Sequence, residues 1–336
     1  MDFLNALVAL TNFVIIPATA YGAQLALGAL GVTLIYGILR FSNFAHGDTM
    51  AFGTMATILF TWAFQAMGIS FGPLPTALLA LPFGIAACAA LVLVTDRSVY
   101  RFYRAQKAKP VILVIVSMGV MFILNGLVRF IIGTGDQRFS DGERFIISAR
   151  TFRDMTGLRE GLAFKTTQGI TIVVSVLCVI ALFWFLNRTR TGKSMRAYSD
   201  NEDLALLSGI NPERVVMVTW IIVAALATIA GTLYGLDKSF KPFTYFQLLL
   251  PIFASAIVGG LGSPLGAIAG GFLIAFSEVT ITYAWKKVVT YLVPEAWEPD
   301  SLLQLLGTDY KFAVSFVILV IVLLFRPTGI FKGKSV

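Results

Sequence analysis

The sequence predicts an all-α protein, a polytopic transmembrane helical bundle whose late part is interrupted by glycine and proline. Three observations carry this. Hydrophobic residues make up 57% of the 336 positions and charged residues only 13%, about half the charged share of a soluble domain, with a mean hydropathy of +0.82. The apolar residues fall in blocks of about 20, the length a helix needs to cross a hydrocarbon layer roughly 30 Å thick. Those blocks are too long and too evenly apolar for alternating barrel strands, and backbone amides in lipid must be satisfied within the segment, so helices are required.

The blocks lie at 3–18, 21–41, 48–67, 76–95, 110–133, 168–187, 215–235, 247–262, 264–284 and 309–325, ten candidate spans. No Lys or Arg precedes the first, which therefore reads as an uncleaved membrane or interfacial segment, with Pro17 expected to end it. It forms an N-terminal addition, 1–20, ahead of a main transmembrane domain, 21–330. Assigning alternate loops to the two sides gives fourteen Lys and Arg to the set around Arg40, 97–109, 188–214 and 326–334, against ten in the other set. Those ten are spread over longer loops and offset by Asp136, Asp141, Glu143 and Glu160. The positive-inside rule then makes the first set cytoplasmic, and both termini with it. The longest outer loop is 134–167. Orientation explains the net charge of +8: the cations sit in loops without interleaved aromatics, so the lipid bilayer rather than nucleic acid is the expected partner.

This topology closes only if 247–284 holds two segments meeting at Gly259-Gly260-Leu261-Gly262-Ser263-Pro264-Leu265-Gly266. Pro264 removes an amide donor and the glycines loosen the backbone, so a 38-residue helix through this point is expected to be kinked or interrupted. The break is either a tight cytoplasmic turn between two spans or a re-entrant element lining a pathway. Glycines at four-residue spacing, Gly262 with Gly266, Gly266 with Gly270 and Gly231 with Gly235, predict close helix approach.

Few residues are equipped for chemistry. Thr191-Gly192-Lys193-Ser194 resembles the end of a phosphate-cradling loop, but the required earlier glycine is Asn187 and an apolar helix stands where a strand is needed. The chain is read as carrying no ATPase site, and as no enzyme. His46, the one histidine, lies in Asn43-Phe44-Ala45-His46-Gly47-Asp48. No Cys, His or acidic cluster accompanies it to make a metal site. Asp48 is expected to cap a helix starting at Thr49, leaving His46 to bond a loop carbonyl. Arg129 and Asp237 lie near the outer boundary and are expected to snorkel, whereas the deeper Glu278 is the candidate for a bundle-interior contact. Cys88 and Cys178 are far apart inside apolar blocks and read as packing residues.

The loop 188–214 is the most informative polar stretch. Asp200 is the expected cap of a short helix carrying Glu202 and Asp203 in its first turn, with Leu204, Leu206 and Leu207 supplying apolar surface and Gly209 ending it. Such a helix between two spans is a lever that docks in a groove on a cytoplasmic partner.

These residues carry a resemblance. The stretch from 21 to Ile35-Tyr36-Gly37-Ile38-Leu39-Arg40-Phe41-Ser42-Asn43-Phe44-Ala45-His46-Gly47 is similar to the opening of the branched-chain amino acid ABC transporter permeases. Arg196-Ala197 to Gly209-Ile210-Asn211 resembles that family's ATPase-coupling loop, Val258 to Ser263 with Gly266 and Gly270-Gly271 its late glycine-rich segment, and Arg326-Pro327-Thr328-Gly329 its ending. The resemblance implies a coupling role for Arg196, Ala197, Asp200, Glu202, Asp203, Leu206 and Gly209, and structural roles for Asn43, His46, Gly47, Gly259, Gly260, Gly262 and Gly266. It also implies a second, related permease subunit, two cytoplasmic ATPases that hold the ATP and Mg, an external substrate-binding protein and a bacterial inner membrane. The chain itself binds no cofactor in this reading. Residues 1–20 and 285–308 depart from the family pattern. The implied cargo is a branched-chain or related amino acid, with urea or short amides as alternatives. A secondary transporter or channel is the competing class, but intramembrane carboxylates and selectivity motifs are sparse.

Overall fold

The computed structural model describes residues 2–293 and 301–331. The first helix, α1 (Asp2–Leu39), runs without a break, which corrects the expected end at Pro17 and joins the first two predicted spans into one. A π-helical turn at Thr11–Ile15 precedes Pro17, which takes the second position of the α-helical stretch that follows. The wider turn makes room for the proline ring, so the chain continues instead of stopping. At about 1.5 Å per residue α1 is about 57 Å long, well beyond the hydrocarbon thickness.

The succeeding helices are α2 (His46–Ala66), α3 (Ala77–Ala105) and α4 (Pro110–Ile132). The long loop after α4 is ordered: strands β1 (Phe145–Ile147) and β2 (Phe164–Lys165) pair antiparallel around α5 (Ala149–Thr156). Then come α6 (Thr166–Arg188), α7 (Arg190–Asp200), α8 (Glu202–Leu207), α9 (Pro212–Lys238), α10 (Pro242–Gly259), α11 (Pro264–Thr282), α12 (Lys286–Thr290) and α13 (Lys311–Phe325). Proline opens α4, α9, α10 and α11, where its missing amide would be unbonded anyway. Eight helices among the described residues are long and apolar enough to cross a membrane. α2 is a further long helix, more polar because it carries Asp48, Thr49, Thr54, Thr57 and Thr61, all buried.

The core forms around α1, which packs against α11, α9 and α10, while α2 packs between α3 and α9. Threonines fit where glycines lack a side chain. A Cβ on Gly53 would fall 2.1 Å from Thr228 Oγ1, on Gly84 2.0 Å from Thr57 Oγ1, and on Gly231 2.3 Å from Thr54 Oγ1. α10 and α11 touch backbone to backbone: a Cβ on Gly266 would lie 2.3 Å from the Gly259 carbonyl oxygen, and one on Gly270 2.1 Å from that of Ser255. Residues 260–263 are therefore a tight turn between two antiparallel helices of 18 and 19 residues.

The charge count predicts that the end of the bundle carrying Arg40, α7 and this turn is the inner one. The amides of Ile330 and Phe331 donate to the carbonyls of Val258 and Gly259 there, at 2.9 and 3.1 Å. The start of α1 lies at the opposite end, where Asn5 and Asn12 Oδ1 accept the amides of Glu160 and Ala163 at 3.1 and 2.9 Å. The two described chain ends thus lie on opposite faces. This corrects the expectation that both are cytoplasmic: merging two predicted spans into α1 changes the parity of the crossings.

Candidate coupling site

Two short helices at the inner end form the site. Thr189 caps α7 by accepting the Gly192 amide at 3.0 Å, and Asn201 caps α8 by accepting that of Leu204 at 3.0 Å. Asp200, the expected cap, is the last residue of α7, with Asn201 taking the extended conformation that capping requires. Glu202 and Asp203 occupy the first turn of α8 as predicted. The helix closes at Gly209, whose φ of +79° lets its amide and that of Ile210 return to the carbonyls of Leu206 and Ala205. Thr191 to Ser194 lie inside α7, not in a phosphate-binding loop.

α7 is clamped to the bundle. Gly192 sits where a Cβ would be 2.2 Å from the Phe185 carbonyl oxygen, so α7 crosses directly on the end of α6. Arg196 donates to Asn187 at 2.9 Å, and Arg40, in the left-handed region at φ +58°, donates to the Ser199 carbonyl at 2.7 Å. Met195 and Tyr198 are buried beneath the helix while Ala197 faces outward. The Tyr198 hydroxyl donates to Glu202 at 2.6 Å, tying α7 to α8. Burial first, then this bond to a carboxylate, pushes the phenol pKa up, so it remains a donor. On α8 only Ala205 is buried, and Leu204, Leu206 and Leu207 are 61%, 42% and 85% exposed. An acidic first turn and an apolar face thus project from a fixed base.

A cavity of about 500 Å³ lies behind this base. The ends of α1 and α6, the α7 residues Arg196 and Asp200, and the turn at Gly262 and Ser263 share it. The structure therefore brings two separately predicted motifs, the coupling loop and the glycine turn, to one space. Sequence reasoning missed Asn187 as the partner of Arg196, and Ser199 as that of Arg40. Tyr198 and Glu202 were detectable, standing four apart.

The motif at 43–48 lies deeper. Asn43 Oδ1 accepts from the Ala45 amide at 3.1 Å and the Tyr100 hydroxyl at 3.2 Å, and the Phe44 amide donates to Ser117 at 3.1 Å. Gly47 lets α2 approach α10, since a Cβ would be 2.8 Å from the Tyr245 carbonyl oxygen. Two expectations fail here. Asp48 does not cap a helix, because α2 already starts at His46; its Oδ1 accepts from Asn125 on α4 at 2.7 Å. His46 bonds no loop carbonyl, as the fully buried ring fills the space against Gly31 on α1. Glu278 does make a bundle-interior contact, accepting from Ser315 of α13. Asp237 does not snorkel: it is buried and faces Lys165 at 3.6 Å and Lys238 at 3.2 Å. No cluster of three or more His, Cys, Asp or Glu suited to a metal occurs among the described residues.

Residues 14–323 match the family described as "Branched-chain amino acid transport system / permease component". The chain belongs to that family. It is 30% identical over 321 residues to the high-affinity branched-chain amino acid transport system permease protein LivH of Escherichia coli K12, covering 94% of this chain and 93% of that one. To BraD, the corresponding permease protein of Pseudomonas aeruginosa, it is 29% identical over 323 residues, covering 94% of each. It is also 26% identical over 153 residues to LivM of Escherichia coli K12, covering 42% of this chain and 35% of LivM. Family membership and the eight apolar helices make this a multi-pass integral membrane protein. Its relatives are permease subunits rather than enzymes.

Proposed function

We propose that this chain is the permease subunit of an ATP-driven importer for branched-chain or related amino acids in a bacterial inner membrane. It pairs with a second, related permease, the role suggested by its similarity to both LivH and LivM. Two cytoplasmic ATPases carry the ATP and Mg, and an external binding protein delivers cargo to the outer face. The observation that carries the reading is α8. Its base is bonded to α1 and α6 through Arg40 and Arg196, while its leucines stand exposed beside Glu202 and Asp203. Such a helix fits an apolar groove with a basic rim on a partner. Motion of that partner then reaches α1, α6 and the 260–263 turn together, and biases the bundle between outward- and inward-open states. In this orientation the start of α1 is external and residues 326–331 are cytoplasmic. The test is charge reversal at Glu202 and Asp203 with Leu206→Asp. Stimulation of ATP hydrolysis by loaded binding protein should collapse while the subunit still inserts. Normal stimulation would sink the assignment.

A further inference from the structure

The outer end holds a built polar cup that the coupling reading does not use. Its volume is about 490 Å³, and residues of both charge signs line it, Arg138, Arg144, Lys165 and Lys238 with three carboxylates. The buried carboxylate is Asp237, whose side chain is only 6% exposed. Its Oδ1 accepts no hydrogen bond and faces Lys165 Nζ at 3.6 Å, too long for a direct bond. Asp237 lies in the last turn of α9, where helix carbonyls favour a cation, and Lys165 is the residue that leads into α6, where helix amides favour an anion. The outer loop is fixed across this cup by the bridge of Gln137 with Phe240, whose two amide–carbonyl bonds are 2.8 and 2.9 Å.

We infer that this cup binds a small zwitterion, with the ligand's ammonium on Asp237 and the α9 carboxyl end, and its carboxylate on Lys165, Lys238 and the start of α6. An isolated anion or cation meets one favourable helix end and one unfavourable one, whereas a ligand carrying both charges a few bonds apart satisfies both. Inserted between Asp237 Oδ1 and Lys165, it replaces that long contact by two charge-assisted hydrogen bonds, while Lys238, 3.2 Å from Oδ2, keeps its hold on the other carboxylate oxygen. The cup thus serves as the first contact of a released α-amino acid with the bundle. The inference rests on the transport reading only for the identity of the cargo.

Equilibrium binding of tritiated L-leucine to the purified transporter, without binding protein, tests it. Unlabelled leucine should compete, whereas N-acetyl-leucine and leucine amide, each lacking one charge, should not. Asp237→Asn should weaken binding about tenfold, what losing one charge-assisted hydrogen bond costs. Lys238→Gln, at a half-exposed position that folding tolerates, should weaken it in the same direction, and melting in detergent reports folding for both. Competition by the singly charged analogues, or unchanged binding in both folded variants, would overturn the site. Uptake into proteoliposomes with the binding protein is measured on the same preparation. Charge-selective binding without leucine uptake supports the site and counts against the transport reading; uptake without such binding does the reverse.

Discussion

Asp96 holds together groups from three parts of the chain. It accepts from Arg104 through both oxygens, at 2.5 and 3.0 Å, and from the Trp220 indole at 2.7 Å. Trp220 stacks on Tyr100 at 5.4 Å, and Tyr100 in turn bonds Asn43. Asp96→Ala strands a mostly buried guanidinium and a buried indole N–H, and should cost about 3–5 kcal/mol, read from thermal unfolding in detergent. Asp96→Asn, which keeps an acceptor for the indole, should cost less. His46 offers a second test at this scale. A Cβ on Gly31 would fall 2.6 Å from its Cε1, so Gly31→Ala should destabilise by about 1–3 kcal/mol through overpacking. Combined with His46→Ala, the added methyl should do less harm than it does alone, a non-additivity that a double-mutant cycle measures. Neither contact is written in the sequence, because Asp96 and Trp220, or Gly31 and His46, stand at spacings without helical meaning.

At the scale of elements, α7 is pressed onto α6 without intervening side chains, which fixes the base from which α8 projects. Gly192→Ala places a methyl 2.2 Å from the Phe185 carbonyl oxygen, and backbone cannot yield as a side-chain tip would. α7 should lift and carry α8 with it. Thiols introduced at Ala205 and Leu207, 4% and 85% exposed, should react slowly and rapidly with a maleimide in the parent, and at more similar rates in the Gly192→Ala background. The short helix around 202–207 was legible from its acidic first turn and terminal glycine. Its cap was misassigned by one residue, since Asp200 and Asn201 are both good caps and only the backbone decides which is extended. The glycine turn at 259–266 was legible as a break, but its depth was not. What the structure adds is the packing of α10 on α11, backbone to backbone, through Gly259, Gly266 and Gly270.

At the scale of the whole molecule, the outer loops are fastened to the bundle by carboxylates. Asp141 accepts from the Thr76 amide at 2.7 Å and from Gln65 at 2.9 Å, joining the loop after α4 to the one after α2. Glu160 accepts from Lys287 at 2.8 Å and Tyr291 at 2.7 Å, joining α12 to the loop that also receives Asn5 and Asn12 of α1. Burial raises each carboxyl, but these donors outweigh it and hold both below their ordinary values of 3.8 and 4.5. Folded values below unfolded ones mean that the fastening is fully present above 3.8 and 4.5, and is lost as the pH falls through the folded values. Acidification should therefore loosen the outer loops, seen as faster cleavage by pepsin within 134–167. Asp141→Asn should reduce that pH dependence and raise cleavage at neutral pH, where a second protease reads it. The start of α1 and α12 meet on this face as well: Ala6 and Ala9 of α1 pack on Val288.

The sequence by itself determined the membrane-spanning helical class, the short helix around 202–209 with its acidic first turn and terminal glycine, and the family. Each of these is set locally, by the solvation needs of an apolar run, by motif spacing or by the chemistry of a helix end. Tertiary structure alone decided that α1 continues through Pro17 and places the two described chain ends at opposite ends of the bundle. It also decided that Asp237 is held between Lys165 and Lys238, and that Arg196 and Gly262 share one cavity. Those outcomes depend on which helices become neighbours, and in lipid that choice rests on the fit of glycines to threonines and of backbone to backbone, which hydropathy does not record.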